Sequence, residues 1–498
     1  MKKISSILIA NRGEIAIRIA KTAKEMGIEV YGLMTHYEPN AVYLSHMDHV
    51  VDVTEESHEN IFMNPVRIAE IAKEHNITSV HPGYGFLSES RELAEECDRR
   101  GVILIGPSAQ AIEDMGDKGV ARKMAKAAGV PILEGSKDIV ENIEDAKVLA
   151  DNIGYPVIIK AVAGGGGKGM RVARTPDELT MMFKMARREA EGIFNNSDVF
   201  IEKYVENPHH IEFQILADKH GNVVHLFERE CSIQRKHQKL IEEAPSPALN
   251  DELRQRMGEA AVNIAKYANY YSAGTVEFLV DSEKNFFFLE MNTRIQVEHP
   301  ITESITGVDL IEQMIRIAQD EEISLKQEDI KIKGACIEYR LNAEDVQANF
   351  APAFGIIEQY DFPVHPSLRL DTGYRNGIVV PPYFDSMVAK VIVSGETREE
   401  VLASSKVIFE DIKIKGIKTT LPFFKKVLET PSFVEGKYTT SFLLNDIDQV
   451  FLQKPNEEMV AAYVAMQLYL NNKNYIERGE LEVKSTSPWL QSKHLKNL

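Results

Sequence analysis

The sequence is poor in cysteine, in tryptophan and in positive charge. Three cysteines, Cys97, Cys231 and Cys336, are spread over 498 residues. They form neither a CxxC pair nor an even-numbered framework, which argues against a disulfide-stapled scaffold and fits a reducing, cytoplasmic setting. Lys and Arg number 57 against 75 Asp and Glu, a net charge of −18, so the overall field repels a phosphate backbone and general nucleic-acid binding is disfavoured. No stretch approaches the roughly 20 apolar residues needed to span a bilayer, so a membrane role has no support. The opening MKKISSILIANRGE has two lysines and a short apolar run, but Arg12 and Glu14 follow at once without a small-residue cleavage site. It reads as a buried first strand rather than a signal peptide. Internal repeats and low-complexity segments are absent.

What is present is an ordinary globular composition, 44% hydrophobic and 27% charged, in a chain long enough for roughly three domains of about 150 residues each. Residues 4 to 10 read as a strand and 14 to 26 as a helix with Ile15, Ile19, Ala23 and Met26 at helical spacing, closed by Gly27. The run 28 to 34 completes a β-α-β unit. Strand candidates at 78 to 81 and 102 to 105 alternate with helical patterns at 64 to 75 and 88 to 99. The expectation is a parallel, doubly wound, Rossmann-like domain over 1–117. Its first turn is NRGE and lacks GxGxxG, so a nicotinamide enzyme is disfavoured. A helix from Lys118 to Ala128 opens a second region, and from about 335 short strands between Pro and Gly turns point to a smaller, β-rich third domain.

The strand YPVIIK leads into AVAGGGGKGMRVA, where Gly164, Gly165, Gly166, Gly167 and Gly169 free the backbone to approach a phosphate and aim N–H groups at it. No Lys-Ser/Thr pair closes the loop and MRVA reads as a strand, so a Gly-rich flap between two strands replaces a Walker loop. Lys160, at the end of an apolar strand, needs an anionic partner if buried. Taken alone it fits a strand end reaching solvent at least as well, and Lys118 is equally ambiguous.

In TVEFLVDSEKNFFFLEMNTRIQVEHP (275 to 300), two apolar runs flank DSEKN. A symmetric hairpin pairing Asp281 with Phe286 sets Glu277 opposite Glu290. Facing carboxylates repel, and a shared divalent cation relieves them; oxygen ligands favour Mg²⁺ or Mn²⁺. Asn292 shares the face of Glu290 and adds a third oxygen. The same parity continues through Arg294, Gln296 and Glu298, so an extended segment would line a cleft. A half-buried strand with a solvated face explains the alternation equally well, but not the opposed carboxylates. On another strand pattern His210, Glu212 and Gln214 alternate. The run QRKHQK (234 to 239) groups basic and amide side chains suited to an oxyanion, although such runs are usually solvated loops, and the histidine spacing fits no standard zinc site.

Together these segments are similar to biotin carboxylase, the ATP-grasp subunit of biotin-dependent carboxylases. The resemblance runs from residue 4 to about 447 through ANRGEIAIR, HPGYGFLSE, KAVAGGGGKGMR, ENPHHIEFQ, ECSIQRKHQK, LEMNTRIQVEHPITE, IEYRLNAED and PPYFDSMVAK. It implies an α/β and α+β multidomain fold: the Rossmann-like N-terminal domain, an ATP-grasp domain over 118–334 with a mobile lid at about 133–205, and a small β-rich C-terminal domain over 335–447. It implies that bicarbonate attacks the γ-phosphate of Mg-ATP to give carboxyphosphate, whose carboxyl group passes to biotin.

On the matching positions, Lys118, Lys160, His210, Gln234, His237 and the flap with Lys168 would hold ATP, and Glu202, Lys203, Tyr204 and Val205 would lie near adenine. Glu277, Glu290 and Asn292 would hold the metal. Lys239, Arg294, Gln296 and the Val297 backbone would hold bicarbonate, Glu298 would deprotonate it, and Arg340 would stabilise the biotin enolate. No Met-Lys-Met tetrapeptide occurs. The biotin would therefore arrive on a separate biotin carboxyl carrier protein and be used by a carboxyltransferase subunit; the resemblance also suggests a homodimer. Residues 448–498 carry a helix-like apolar run at 459 to 470, suited to self-packing or partner docking. Another ATP-grasp ligase of the carbamoyl-phosphate type and a catalytically silent nucleotide-binding scaffold are the rival readings. The first has no use for Arg340 in its setting; the second expects losses among Glu298, Arg294, Lys239 and Arg340, and all four are present.

Overall fold

The computed structural model describes residues 3–56, 61–136, 139–162, 169–194, 196–447 and the single residue 466. The glycines Gly164 to Gly167, Lys168 and, but for Met466, the segment 448–498 lie outside the described residues. The chain opens with five parallel strands, β1 (Ser6–Ile9), β2 (Glu29–Met34), β3 (His49–Asp52), β4 (Ser79–His81) and β5 (Ile103–Leu104), in the order β3-β2-β1-β4-β5. Helices α1 (Gly13–Glu25), α2 (Pro65–Glu74) and α3 (Arg91–Arg100) connect them. Side chains of α2 and α3, such as Ile68, Ile71, Leu93 and Cys97, bury one face of this sheet, and Ile15 and Ile19 of α1 bury the other. The doubly wound reading of the first segment therefore holds. All three cysteines are free and buried.

Next come α4 (Ala109–Gly116) and α5 (Lys118–Ala127), the latter capped by Asp117, whose side chain accepts from the Val120 N–H. A small antiparallel sheet of β6 (Val157–Ala161), β7 (Met170–Ala173) and β8 (Val199–Lys203) follows, ordered β7-β6-β8 and packed under α6 (Ile143–Ile153) and α7 (Pro176–Phe194).

The largest element is an eight-stranded antiparallel sheet. It contains β9 (His209–Ala217), β10 (Val223–Arg235), β11 (Gln238–Ala244), β12 (Ser272–Val280), β13 (Phe286–Asn292) and β14 (Ala335–Asn342), ordered β13-β12-β9-β10-β11-β14 and continued by Met387–Gly395 and Leu368–Thr372. Helix α8 (Asp251–Tyr267) packs on β9 and β10 through residues such as Met257, Ala261 and Ile264. The third region is β-rich as expected, but its principal strands do not form a sheet of their own. They extend the central sheet, because the edge of β11 is free to pair with β14, and a helix at Arg398–Asp411 packs on them. Close backbone approach ties this region to the N-terminal segment: a Cβ at Gly373 would lie 2.8 Å from Gly13 Cα.

Two local readings are corrected. The hairpin does not pair Asp281 with Phe286; Val280 does, and Asp281 anchors the turn by accepting from the Glu283 and Asn285 N–H groups. A register shift beside Phe278 inserts one extra residue on β13, and this bulge restores Glu277 opposite Glu290. The segment 290 to 298 is not extended throughout. β13 stops at Asn292, a turn follows, and Glu298 precedes helix α9 (His299–Thr306).

Candidate active site

The site grows from three neighbouring strands. Register places Glu212 of β9 beside Glu277 of β12, and Glu277 beside Glu290 of β13, so three carboxylates stand in a row on one sheet face. Each has a different answer to the repulsion. Glu212 is neutralised by Arg229 Nε at 2.5 Å and Lys239 Nζ at 2.6 Å. Glu277 takes His210 Nε2 at 2.7 Å, Asn292 Nδ2 at 2.8 Å, Gln296 Nε2 at 3.0 Å and Lys239 Nζ at 3.3 Å. Glu290 receives no hydrogen bond or ion pair from the described residues. Burial and then the Glu277 charge push its pKa up, whereas burial of Glu277 is outweighed by Lys239 and His210, which hold that carboxylate well below its usual range. A carboxylate without a hydrogen-bond or ion-pair partner among the described residues, beside an ionised one, is a donor set suited to a hard divalent cation. Asn292 turns its amide nitrogen to Glu277 while its Oδ1 accepts from Arg294 at 3.1 Å; a flip of the amide would present the oxygen instead.

Behind this row lies a residue that sequence reasoning missed. Arg229 is fully buried, and its donors reach Glu212, Gln214 at 2.7 Å, Thr302 at 2.9 Å, Gln296 at 3.0 Å and Thr275 at 3.1 Å. The five bonds match the five donors of a guanidinium. An arginine inside the strand VVHLFERECSIQR was a legible sign that a buried partner exists.

On the next hairpin, QRKHQK is not a solvated loop as a whole. Gln234, next to last on β10, lies opposite Lys239 of β11, with Lys236 and His237 forming the left-handed turn at φ +49° and +65°. Gln234 Nε2 lies 3.3 Å from His210 Nδ1. Burial, then the charges of His210 and Lys160, lower the His237 pKa. Lys239 brings Glu212, Glu277 and Glu298 together, the last at 2.7 Å.

Glu298 is 2% exposed. Burial alone would raise its pKa, but Lys239, Arg340 and Arg229 outweigh that and hold it far below the usual carboxylate range. Arg340 Nη2 lies 2.9 Å from Glu298 Oε2 and also pairs with Glu242. Glu242 and Glu338 face each other across β11 and β14, and burial, moderated by Arg340, pushes Glu242 up to about 7. Arg294 is held by Glu89 at 3.1 Å, another residue not singled out from the sequence. Gln296 is buried between Arg229 and Glu277, and the Val297 carbonyl accepts from Lys390.

The smaller sheet supplies a different environment. Lys160 Nζ lies 2.5 Å from Glu202, which Arg122 of α5 also engages. Burial, then the fields of Lys118 and Arg122, lower the Lys160 pKa to about 8. Arg122 was not foreseen. Lys203 donates to the Gly154 and Tyr155 carbonyls at 3.0 Å, Tyr204 N–H donates to the Pro156 carbonyl, and Val205 follows half-buried. Of the glycine loop, Gly169 is described; its carbonyl accepts from the Ala161 N–H and its φ is +72°.

Three family models match this chain: "Biotin carboxylase, N-terminal domain" over 3–112, "Carbamoyl-phosphate synthase L chain, ATP binding domain" over 117–326, and "Biotin carboxylase C-terminal domain" over 338–445. The chain is 49% identical over 441 residues to biotin carboxylase 1 of Bacillus subtilis, covering 88% of this chain and 98% of that protein. It is 47% identical over 441 residues to the biotin carboxylase of a Nostoc species, covering 89% and 99%. Among solved structures, it is similar to the biotin carboxylase domain dimer of Hydrogenobacter thermophilus 2-oxoglutarate carboxylase in complex with MgADP, ADP and bicarbonate. There the TM-score is 0.86 at 43% identity, covering 91% of this chain and 99% of that one. The biotin carboxylase complex with β,γ-ATP from Campylobacter jejuni gives 0.85 at 42%, covering 89% and 99%.

Proposed function

The chain belongs to the biotin carboxylase family, and from that premise we propose that the charged face built on β9, β12 and β13 runs the ATP- and bicarbonate-dependent carboxylation of biotin. The observation that carries the assignment is the convergence of Lys239 and Arg340 on Glu298 beside the opposed pair Glu277 and Glu290. Glu277 and Glu290, with Asn292, would hold Mg²⁺ or Mn²⁺, which supplies charge neutralisation for the ATP phosphates. Lys118, Lys160 and the glycine loop bind the phosphates. His210, Gln234 and His237 border the same space, and Glu202 to Val205 line the nucleotide side.

Lys239, Arg294, Gln296 and the Val297 N–H hold bicarbonate, and Glu298 takes its proton. A bicarbonate oxygen then bonds to the γ-phosphorus as the bond to the bridging oxygen of ADP breaks, giving carboxyphosphate. The bond between its carboxyl carbon and the phosphate oxygen then breaks, the released phosphate takes the N–H proton of biotin, and the biotin nitrogen bonds to the carboxyl carbon while Arg340 stabilises the negative charge that develops on the biotin oxygen. With Lys239 and Arg340 both bonded to it, Glu298 is ionised but a weak base. Substrates that draw those cations away strengthen it, so the base becomes effective when the site is filled. The phosphates are met by a local set of cations within a chain of net charge −18.

The biotin reaches Arg340 on a separate carrier protein, and a carboxyltransferase subunit passes the carboxyl group to the final acceptor; the working unit is a homodimer in a cytoplasmic setting. No helix among the described residues is long and apolar enough to cross a membrane. The relatives include carboxylases named for pyruvate, methylcrotonoyl-CoA and 2-oxoglutarate, so the acceptor is a property of the transferase rather than of the site described above. Steady-state ADP release tests the proposal: turnover rises when bicarbonate and biotin are supplied together. Turnover indifferent to both contradicts it.

A further inference from the structure

The turn between β13 and α9 must hold two groups still, the Val297 N–H and the Glu298 carboxylate, although it has left the strand ladder. Two buried side chains stand in for the ladder, the first beside a longer backbone bond of 3.3 Å from the His299 N–H to the Gln296 carbonyl. His299 Nδ1 lies 2.7 Å from the Gln296 carbonyl oxygen. Lys390 Nζ, from the strand Met387–Gly395, donates to the Val297 carbonyl at 3.0 Å. Peptide groups are planar and trans, so fixing a carbonyl also fixes the N–H on the opposite side of the same plane. The first bond orients the Gln296–Val297 peptide and hence the Val297 N–H. The second orients the Val297–Glu298 peptide, from which the Glu298 side chain departs.

Both residues are fully buried. Lys390 lies 2.9 Å from Glu14 and 3.9 Å from Asp371; burial would discharge it, but Glu14, Glu338 and Asp371 keep its pKa above the usual lysine value. For His299, burial and then the positive charges of Lys390, Arg18 and Arg369 drive the pKa well below normal, leaving a neutral ring. A carbonyl oxygen can only accept, so the single ring proton sits on Nδ1. His299 Nε2 is buried without a hydrogen-bond partner among the described residues. The polar role of this imidazole is therefore concentrated in one bond to the Gln296 carbonyl.

We propose that His299 and Lys390 are positioning residues for bicarbonate, setting the two peptides around Val297 so that its N–H and the Glu298 carboxylate face one substrate. The proposal rests on the assignment of Val297 and Glu298 to bicarbonate made above. The test uses the full chain, steady-state ATP turnover with biotin present, and the variants His299→Asn and His299→Gln. An asparagine amide can place its nitrogen near the position of Nδ1, and a glutamine amide near that of Nε2.

His299→Gln is expected to raise the bicarbonate KM about tenfold or more, as small misplacements of a reacting group do. The ATP KM should move by less than about twofold, and His299→Asn should recover most of the loss, because it restores the donor to the carbonyl. The double variant Glu14→Gln/Lys390→Met removes a buried ion pair together, which avoids stranding one charge, and should raise the bicarbonate KM in the same direction. Thermal melts identify any variant that fails to fold, and the remaining one then decides. Equal bicarbonate KM values for folded His299→Asn and His299→Gln, or an unchanged bicarbonate KM in the folded double variant, would overturn the inference. Failure of the functional reading is distinguishable, since the parent chain itself would then show no bicarbonate-dependent turnover.

Discussion

The charged face of the central sheet and the small sheet of β6, β7 and β8 solve opposite problems. On the central face nearly every charge is saturated in advance: Arg229 uses its five donors, Lys239 spans three carboxylates, and Glu298 has two cationic partners. At the small sheet, Lys160 and Arg122 share the single carboxylate of Glu202, and Lys118 adds its field to theirs. The first arrangement is preorganised, so its cost has been met in folding and its geometry is ready for a small, demanding substrate. The second gathers several cations around one carboxylate of the described residues, a setting that suits a polyphosphate. Rigid chemistry and adjustable grip are thus divided between two sheets.

That contrast is broken most severely at the proposed base, Glu298. Glu298→Gln should lower bicarbonate-dependent ATP turnover by roughly 10²- to 10⁴-fold, the range for losing a general base, with a melting temperature close to the parent; turnover within tenfold of the parent would remove Glu298 from that role. Next is Arg229→Met, which leaves the buried Glu212 with Lys239 alone and strips Gln214, Thr275, Gln296 and Thr302 of their buried donor, and should cost about 3–5 kcal/mol of stability, read as a lower denaturant midpoint. A stability loss under about 1 kcal/mol would show that the face is not preorganised by this residue.

The small sheet should respond differently. Lys160→Met removes a proposed phosphate partner without dismantling a saturated network, so the ATP KM should rise about tenfold, equivalent to about 1.4 kcal/mol, with little change in melting temperature. The smallest effect is in pH. Lys160 loses its proton as pH rises through about 8 in the free protein, while bound phosphates favour the charged form. ATP affinity should therefore fall above pH 8 by at most about tenfold per pH unit, with proton uptake on binding detected as a buffer-dependent calorimetric enthalpy. Lys160→Met should abolish that uptake.

Local periodicity was enough to read the first β-α-β unit, because its signals are short-range: an apolar strand, a helical stripe and Gly27 at the stop. The pair Glu277 and Glu290 was legible as well, but by compensation, since the turn begins one residue earlier than symmetry suggests and the bulge on β13 corrects the register. Beyond Asn292 parity failed because the chain turns, yet Gln296 and Glu298 still converge with Lys239 through long-range partners. Arg229, Lys390 and Glu89 escaped for the same reason: each acts on a residue tens to hundreds of positions away or across strands whose order the pattern does not reveal. The β-rich character of the third region was legible in its short, turn-rich strands, but not the hydrogen bonds that join the principal ones to β11, because those partners lie far off in sequence.

The most direct measurement follows the carbon rather than the phosphate. Labelled bicarbonate is incubated with this chain, Mg-ATP and free biotin, and label in biotin is counted beside the same reaction run with Glu298→Gln. Label should accumulate in biotin for the parent, only with ATP present, and fall by at least about 10²-fold in the variant. Hydrolysis of ATP without transfer of label, or equal transfer by both proteins, would contradict a biotin carboxylase site built on the face of β9, β12 and β13.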